Sequence, residues 1–144
     1  MPDPGGGNPV NVIAFGAHPD DVDLYAGGLV AGLARRGADV LLVDLTAGEL
    51  GTRGTPELRE SEAAEAARIL GVRRRCLGLP DGRLSGTDDA QNRAIVEALR
   101  AHPSELVLAP WEVDLHPDHL QACLLVRRAH FDRCSASPRR ARER

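Results

Sequence analysis

The sequence predicts an α/β fold: a Rossmann-like parallel sheet with helices on both faces, incomplete at the C-terminus. Three observations predict it. Apolar, β-branched runs alternate with helical patterns in the order βαβαβαβα. The runs are almost continuously apolar, as in strands buried on both faces. The unusual polar stretches AHPDD, AGELGTRG, LPDG and WEVDLHPDH all follow strands, where sheets of this kind bind ligands.

The elements follow in order. VNVIAFGA (10–17) is the first strand. DVDLYAGGLVAGLARRG (21–37) sets Val22, Ala26, Leu29, Val30 and Leu33 at helical spacing and stops at Gly37. Gly27 and Gly28 in this helix suggest close packing near the site. ADVLLVDLTAG (38–48) is a second buried strand. TPELRESEAAEAARILG (55–71) signals a helix at both ends, with Thr55 as N-cap, Pro56 at the first position, Glu57 and Glu60 in the first turn and Gly71 as the stop. RRRCLGLPDG (73–82) is a short strand and a turn. DDAQNRAIVEALRAHP (88–103) is a third helix with Ile95, Val96 and Leu99 inward and Asp88 and Asp89 as an N-cap pair. ELVLAPW (105–111) is the fourth strand, and HPDHLQACLLVRRAHF (116–131) begins the fourth helix. His102 and His130 have no evident partners and are expected at the surface. The domain is therefore expected over 10–131, between a flexible leader (1–9) and a disordered Arg-rich tail (132–144).

Composition narrows the function classes. A chain of 144 residues suffices for one domain with a core, and four aromatic residues leave that core to Leu, Val, Ala and Ile. No stretch approaches eighteen apolar residues, so no membrane span is expected. The leader has no basic or apolar segment of a signal peptide, which makes cytoplasmic the expected location. Cys76, Cys123 and Cys134 lack CxxC spacing, which argues against a disulfide framework or a thiolate metal site. The net charge is −3, yet residues 127–144 hold seven arginines against two acids, net +5, leaving −8 on the rest. All eighteen basic residues are arginine, a compositional bias that weakens any nucleic-acid reading of the tail. A homo-oligomer is compatible with the sequence.

The chemistry lies in two HPD elements. His18 and Asp21 are three apart, so a turn entering a helix can aim both at one point while Asp20 faces elsewhere. HPDH (116–119) adds His116 and His119 at the mouth of another strand. His18, Asp21 and His119 then form a two-histidine, one-carboxylate site of the kind zinc accepts with one position left for water; iron, cobalt and nickel accept it too. A nucleotide-binding reading is weaker, because the first turn is GAHPDD and not GxGxxG, and two acids there repel a pyrophosphate.

AHPDD with a later HPDH resembles the paired signature of the PIG-L/LmbE-like zinc-dependent N-deacetylases, over about residues 10–131. LTAGELGTRGTPELRESEA (45–63) and LGLPDG (77–82) resemble the branch that deacetylates N-acetylglucosaminyl-malate in bacillithiol biosynthesis. The resemblance implies zinc ligands His18, Asp21 and His119, Asp20 as general base, and His116 as electrophilic or acid partner. Asp118 is expected to orient and charge-stabilise His116. The departing amine would take its proton from Asp20 or from a protonated His116. Arg53 is expected to clamp a substrate carboxylate. Asp81, readable also as a turn residue, is expected to bind sugar hydroxyls, with Glu49 a weaker candidate. Asp114 and Leu115 stand where some relatives carry a polar or aromatic substrate contact. The implied substrate is a small-molecule glycoconjugate. Members of the family usually continue well beyond this length, so a truncated, non-catalytic metal-binding relative is the alternative reading.

Overall fold

Alternate residues of the first strand serve two cores. Val12 and Ala14 pack with Val22, Val30, Val40 and Leu42, whereas Ile13 and Phe15 pack with Val43, Leu45, Ile95, Leu99 and Leu125. This is the period-2 alternation of a strand covered on both faces. The computed structural model describes residues 9–135. Its elements are β1 (Asn11–Gly16), α1 (Asp21–Arg35), β2 (Asp39–Thr46), α2 (Pro56–Leu70), β3 (Arg73–Leu79), α3 (Asp89–Ala101), β4 (Leu106–Leu108) and α4 (Pro117–Ser135).

The four strands are parallel in the order β3-β2-β1-β4. Helices α1 and α2 supply the first core, α3 and α4 the second. The chain winds outward from β1 to β3, then crosses the other face to place β4 beside β1, with Val12 opposite Leu106. The order reverses between β1 and β4, and that is where an open parallel sheet leaves a crevice at its carboxyl edge.

Local signals in the sequence explain the helix ends. Thr55 accepts the Leu58 amide through Oγ1 at 3.2 Å, and Pro56 opens α2. Gly71 closes α2 at φ +70, a conformation that costs a residue with a Cβ but not glycine. Asp88 caps α3 by accepting from Ala90 and Gln91. Asp89 is the first residue of the helix and pairs with Arg128 instead of capping.

Several expectations need correction. Leu29 is 52% exposed, because its side of α1 faces the sheet edge beyond β1, where β4 is only three residues long and Trp111 has already left the strand. A Cβ on Gly27 or Gly28 would meet nothing within 4 Å, so neither marks close packing. His102 is buried: Nε2 faces the Val12 carbonyl at 3.1 Å, and Arg73 Nη2 approaches Nδ1 at 3.0 Å. Residues 132–135 continue α4, where the composition predicts disorder; the leader up to residue 8 and the tail from 136 lie outside the described residues. Among the described residues no helix is long and apolar enough to cross a membrane.

Candidate active site at the sheet switch point

The first HPD element curls back on the end of β1. The His18 amide donates to Asp21 Oδ2 at 2.9 Å, and the Asp21 amide donates to the His18 carbonyl at 3.3 Å. Glycine suits the strand end, since a Cβ on Gly16 would lie tightly, 3.0 Å from the Asp21 Cβ and 3.1 Å from the His18 carbonyl oxygen. From β2, Thr46 fastens the neighbouring Ala17 carbonyl twice, through its amide at 3.0 Å and its hydroxyl at 2.9 Å. Asp20 occupies the N-cap position of α1 but its side chain caps no amide and is exposed. The adjacent acids are thereby divided, with Asp21 turned inward and Asp20 left free.

The second element enters from β4. The His116 and His119 rings stack at 4.6 Å, and both meet His18, at 4.7 and 5.4 Å between ring centroids. Ring nitrogens of His18, His116 and His119 lie within 4.8 Å of one another. Asp21 bridges the imidazoles of His119 and His18, with Oδ1 3.2 Å from His119 Nε2 and Oδ2 3.6 Å from His18 Nδ1. Beside Asp21 and His119 opens a cleft of about 330 Å3, walled largely by apolar groups including Val22, Leu108 and Trp111.

A second convergence surrounds His18. Its Nε2 lies 3.1 Å from Asp81 Oδ1 and 3.4 Å from Asp118 Oδ2, and these three side chains also present donor atoms for a metal within 4.8 Å of one another. Burial alone would lower the His18 pKa, but its bond to Asp21 and the charges of Asp21, Asp81 and Asp118 outweigh it and push the imidazole up to about 9. Burial likewise favours a neutral Asp21, but its bonds to His18 and the nearby His119 hold its carboxyl below the ordinary value. The pocket is built to hold positive charge.

Two expected roles come out differently. The Asp118 carboxylate does not reach His116; it accepts the Gly82 amide at 2.7 Å and faces His18. Only the Asp118 backbone touches His116, donating to Nδ1 at 3.2 Å. Asp81 bonds His18 through Oδ1 and accepts the Leu50 amide through Oδ2 at 2.9 Å, one partner on each oxygen, so it braces the site. Glu49 accepts the Asp81 amide at 2.8 Å and ties the GELG loop to the LPDG turn. Arg53 is exposed on that loop.

Three contributors are not evident from the sequence. Asp114 holds His119 Nδ1 at 2.9 Å and accepts the His116 amide at 2.8 Å, so one carboxylate aligns the whole second element. Those two bonds keep its carboxyl below the usual range, the His116 amide contributing most. Arg59 lies across Gly48 and Gly51, where a Cβ on Gly51 would fall inside its guanidinium, and donates to the Arg53 carbonyl at 3.2 Å. Arg74 is buried behind the first element. An arginine one helical turn after Thr55 and an acid ahead of HPDH were the only available signals, and neither spacing is distinctive.

Comparison with known proteins places the fold. A family model described as "PIG-L: GlcNAc-PI de-N-acetylase" matches residues 13–130. The chain is 36% identical over 115 residues to a 1D-myo-inositol 2-acetamido-2-deoxy-alpha-D-glucopyranoside deacetylase of Nakamurella multipartita, covering 66% of this chain and 39% of that protein. Among solved structures it resembles the conserved protein TT1542 of Thermus thermophilus, with TM-score 0.79 and 43% identity over 83% of this chain and 55% of the other. It also resembles GalB, the 4-carboxy-2-hydroxymuconate hydratase of Pseudomonas putida KT2440, with TM-score 0.77 and 26% identity over 85% of this chain and 56% of the other. The chain thus spans about 40 to 55% of the length of these relatives.

Proposed function

This chain belongs to the PIG-L family, and from that premise we propose that it hydrolyses the N-acetyl group of an N-acetylglucosamine conjugate, releasing acetate and a free amine. The observation that carries the reading is the meeting of both HPD elements around one point, with the uncommitted Asp20 carboxylate beside them. Imidazole nitrogens and a carboxylate oxygen fit a divalent transition metal, zinc foremost, and His18, Asp21 and His119 would hold it. Such a metal, when bound, supplies a Lewis acid for the amide carbonyl and a water of lowered pKa.

The chain's own groups do the rest. Asp20, exposed and bonded to no helix amide, takes the proton of the attacking water on its carboxylate. His116 Nδ1 accepts the Asp118 amide, so the neutral ring carries its proton on Nε2, where it donates to the developing oxyanion. As the C–N bond breaks, the amine nitrogen receives the proton that Asp20 took from the water. Asp81 and Asp118 fix His18, and Asp114 fixes His119.

For the substrate we favour N-acetylglucosaminyl-malate, the bacillithiol precursor. The reasoning is that the GELGTRGTPELR loop brings Arg53 and Arg59 to the same rim, and a guanidinium fork suits a malate carboxylate. The test is acetate release by the metal-loaded chain from N-acetylglucosaminyl-malate, N-acetylglucosaminyl-inositol and diacetylchitobiose, with Asp20→Ala as control. Release from malate above the others supports the full reading; release from another member keeps the reaction and replaces the aglycone. Zinc uptake with no release above the control would establish a non-catalytic metal-binding chain. The likeness to a hydratase favours a second reading, addition of water to an unsaturated diacid, and loss of absorbance of such a diacid without any acetate would select it.

A further inference from the structure

On one side of the first HPD element, Pro19 borders an open cleft of about 650 Å3, lined also by Asp44, Ala63, Ala67, Val72 and Arg74. The small alanines of α2 leave this space, so van der Waals contact alone does not hold the loop on that side. One side chain spans the gap. The Arg74 side chain on β3 is 7% exposed and uses its whole fork. Nε and Nη2 grip Asp44 at the end of β2 at 2.7 and 2.9 Å, Nη1 reaches Asp23 in the first turn of α1 at 2.7 Å, and Nη2 donates to the Pro19 carbonyl.

We propose that Arg74 is a positioning residue for the reaction: it fixes the Pro19-Asp20 segment and the start of α1, and so the direction of the Asp20 carboxylate. The proposal deepens the deacetylase reading and rests on it for its catalytic consequence, though not for its structural one. Pro19 directly precedes Asp20, whose side chain has no cap bond to fix it. Its orientation is therefore set through its backbone, and the Pro19 carbonyl is where Arg74 acts. Asp23 has a second, buried oxygen without a partner among the described residues, so its hold on the sheet runs through Arg74. The Coulomb fields of Asp21 and Asp23 also act on Asp44, so one guanidinium faces several carboxylates. A lysine has the charge and three N–H groups but one nitrogen; it cannot reproduce the paired grip of Nε and Nη2 on Asp44 and also reach both Asp23 and Pro19. The fork, and not just the charge, is what the geometry requires.

The test compares the metal-loaded full chain with Arg74→Lys and Arg74→Met, and with Ile95→Ala as a variant that loosens the opposite core, on the other face of the sheet from Arg74. Amide hydrogen exchange of residues 17–24 is read against that of β2, together with kcat and KM for the acetylated substrate. The expected result for Arg74→Lys is about tenfold faster exchange confined to 17–24. Its kcat falls about 100-fold, the cost of misplacing a reacting group by an ångström, with KM within about twofold. Arg74→Met behaves likewise or more severely; if it fails to fold, the lysine variant carries the comparison. Exchange that rises evenly over the sheet, as in Ile95→Ala, or that does not change, overturns the proposal. So does a kcat in Arg74→Lys equal to that of the parent. A parent chain that releases no acetate overturns the deacetylase reading instead, and the exchange measurement still decides the role of Arg74.

Discussion

Removing Asp114 tests how the second HPD element is held. Its Oδ2 lies 2.9 Å from His119 Nδ1 and its Oδ1 accepts the His116 amide at 2.8 Å. The ionised carboxylate accepts a hydrogen bond from Nδ1, which leaves the lone pair of His119 on Nε2, the atom that faces Asp21. Without Asp114 the imidazole must find its tautomer and orientation unaided. Outer partners of ligating histidines are worth about 10- to 100-fold in metal affinity. The Asp114 side chain is 31% exposed, so water screens the interaction and the loss falls at the lower end, about tenfold for Asp114→Ala. Asp114→Asn keeps one carbonyl oxygen, which can serve the His116 amide or His119 but not both, and is expected to fall between. The assay is zinc competition against a chromophoric chelator at fixed pH, with far-UV circular dichroism to confirm folding. An Asp114→Ala chain that holds zinc as tightly as the parent would refute the argument, because the alignment of His119 would then come from packing alone.

Other outcomes follow from single contacts. Asp20→Asn should lower acetate release by about 100-fold or more while leaving the thermal midpoint unchanged, since its side chain caps nothing. Thr55→Ala removes the acceptor of the Leu58 amide and should cost about 1 kcal/mol, read as a lower urea midpoint at constant slope. Gly51→Ala should displace Arg59 from its cradle and raise KM for an anionic aglycone with little change in kcat, which steady-state kinetics on charged and neutral conjugates would separate.

What could be read from the sequence was mostly local. Thr55, Pro56 and Gly71 declare α2 because their work is done within four residues. The alternation at Val12 to Phe15 and the apolar run of β2 declare the sheet, because a strand covered on both faces has few other solutions. The residues that came out differently depend on partners far along the chain. Nothing near His102 announces the Val12 carbonyl 90 positions away. Adjacency assigns Asp118 to His116, yet its first helical turn swings the carboxylate toward Gly82, 36 positions back. Leu29 fits the helical stripe, but a stripe is buried only if something covers it, and β4 ends after three residues. Both HPD elements were legible because each is short and rich in titratable groups; Arg74 was not, because an arginine in RRRC carries no sign of pointing inward.

The concentration of acids around the three imidazoles explains why the site needs both elements. Asp21, Asp81 and Asp118 all face His18, and Asp81 and Asp118 approach the same ring nitrogen, one from the LPDG turn and one from the first turn of α4. Carboxylates at that spacing repel one another unless positive charge lies among them. Without any other cation, the His18 imidazolium meets that need, which is why its pKa is pushed up to about 9. One imidazolium cannot also neutralise the carboxylate of Asp21 that faces His119. The two parallel strands β1 and β4, side by side at the switch point, let the second histidine pair arrive where the first is already surrounded by acid. The same neighbourhood that favours a proton on His18 would attract any cation placed among these carboxylates, with a Coulomb energy that grows with its charge. Asp20 is kept out of this arrangement by the turn at Pro19, and under the proposed function an acid outside the cluster is the one that would exchange protons with water and substrate.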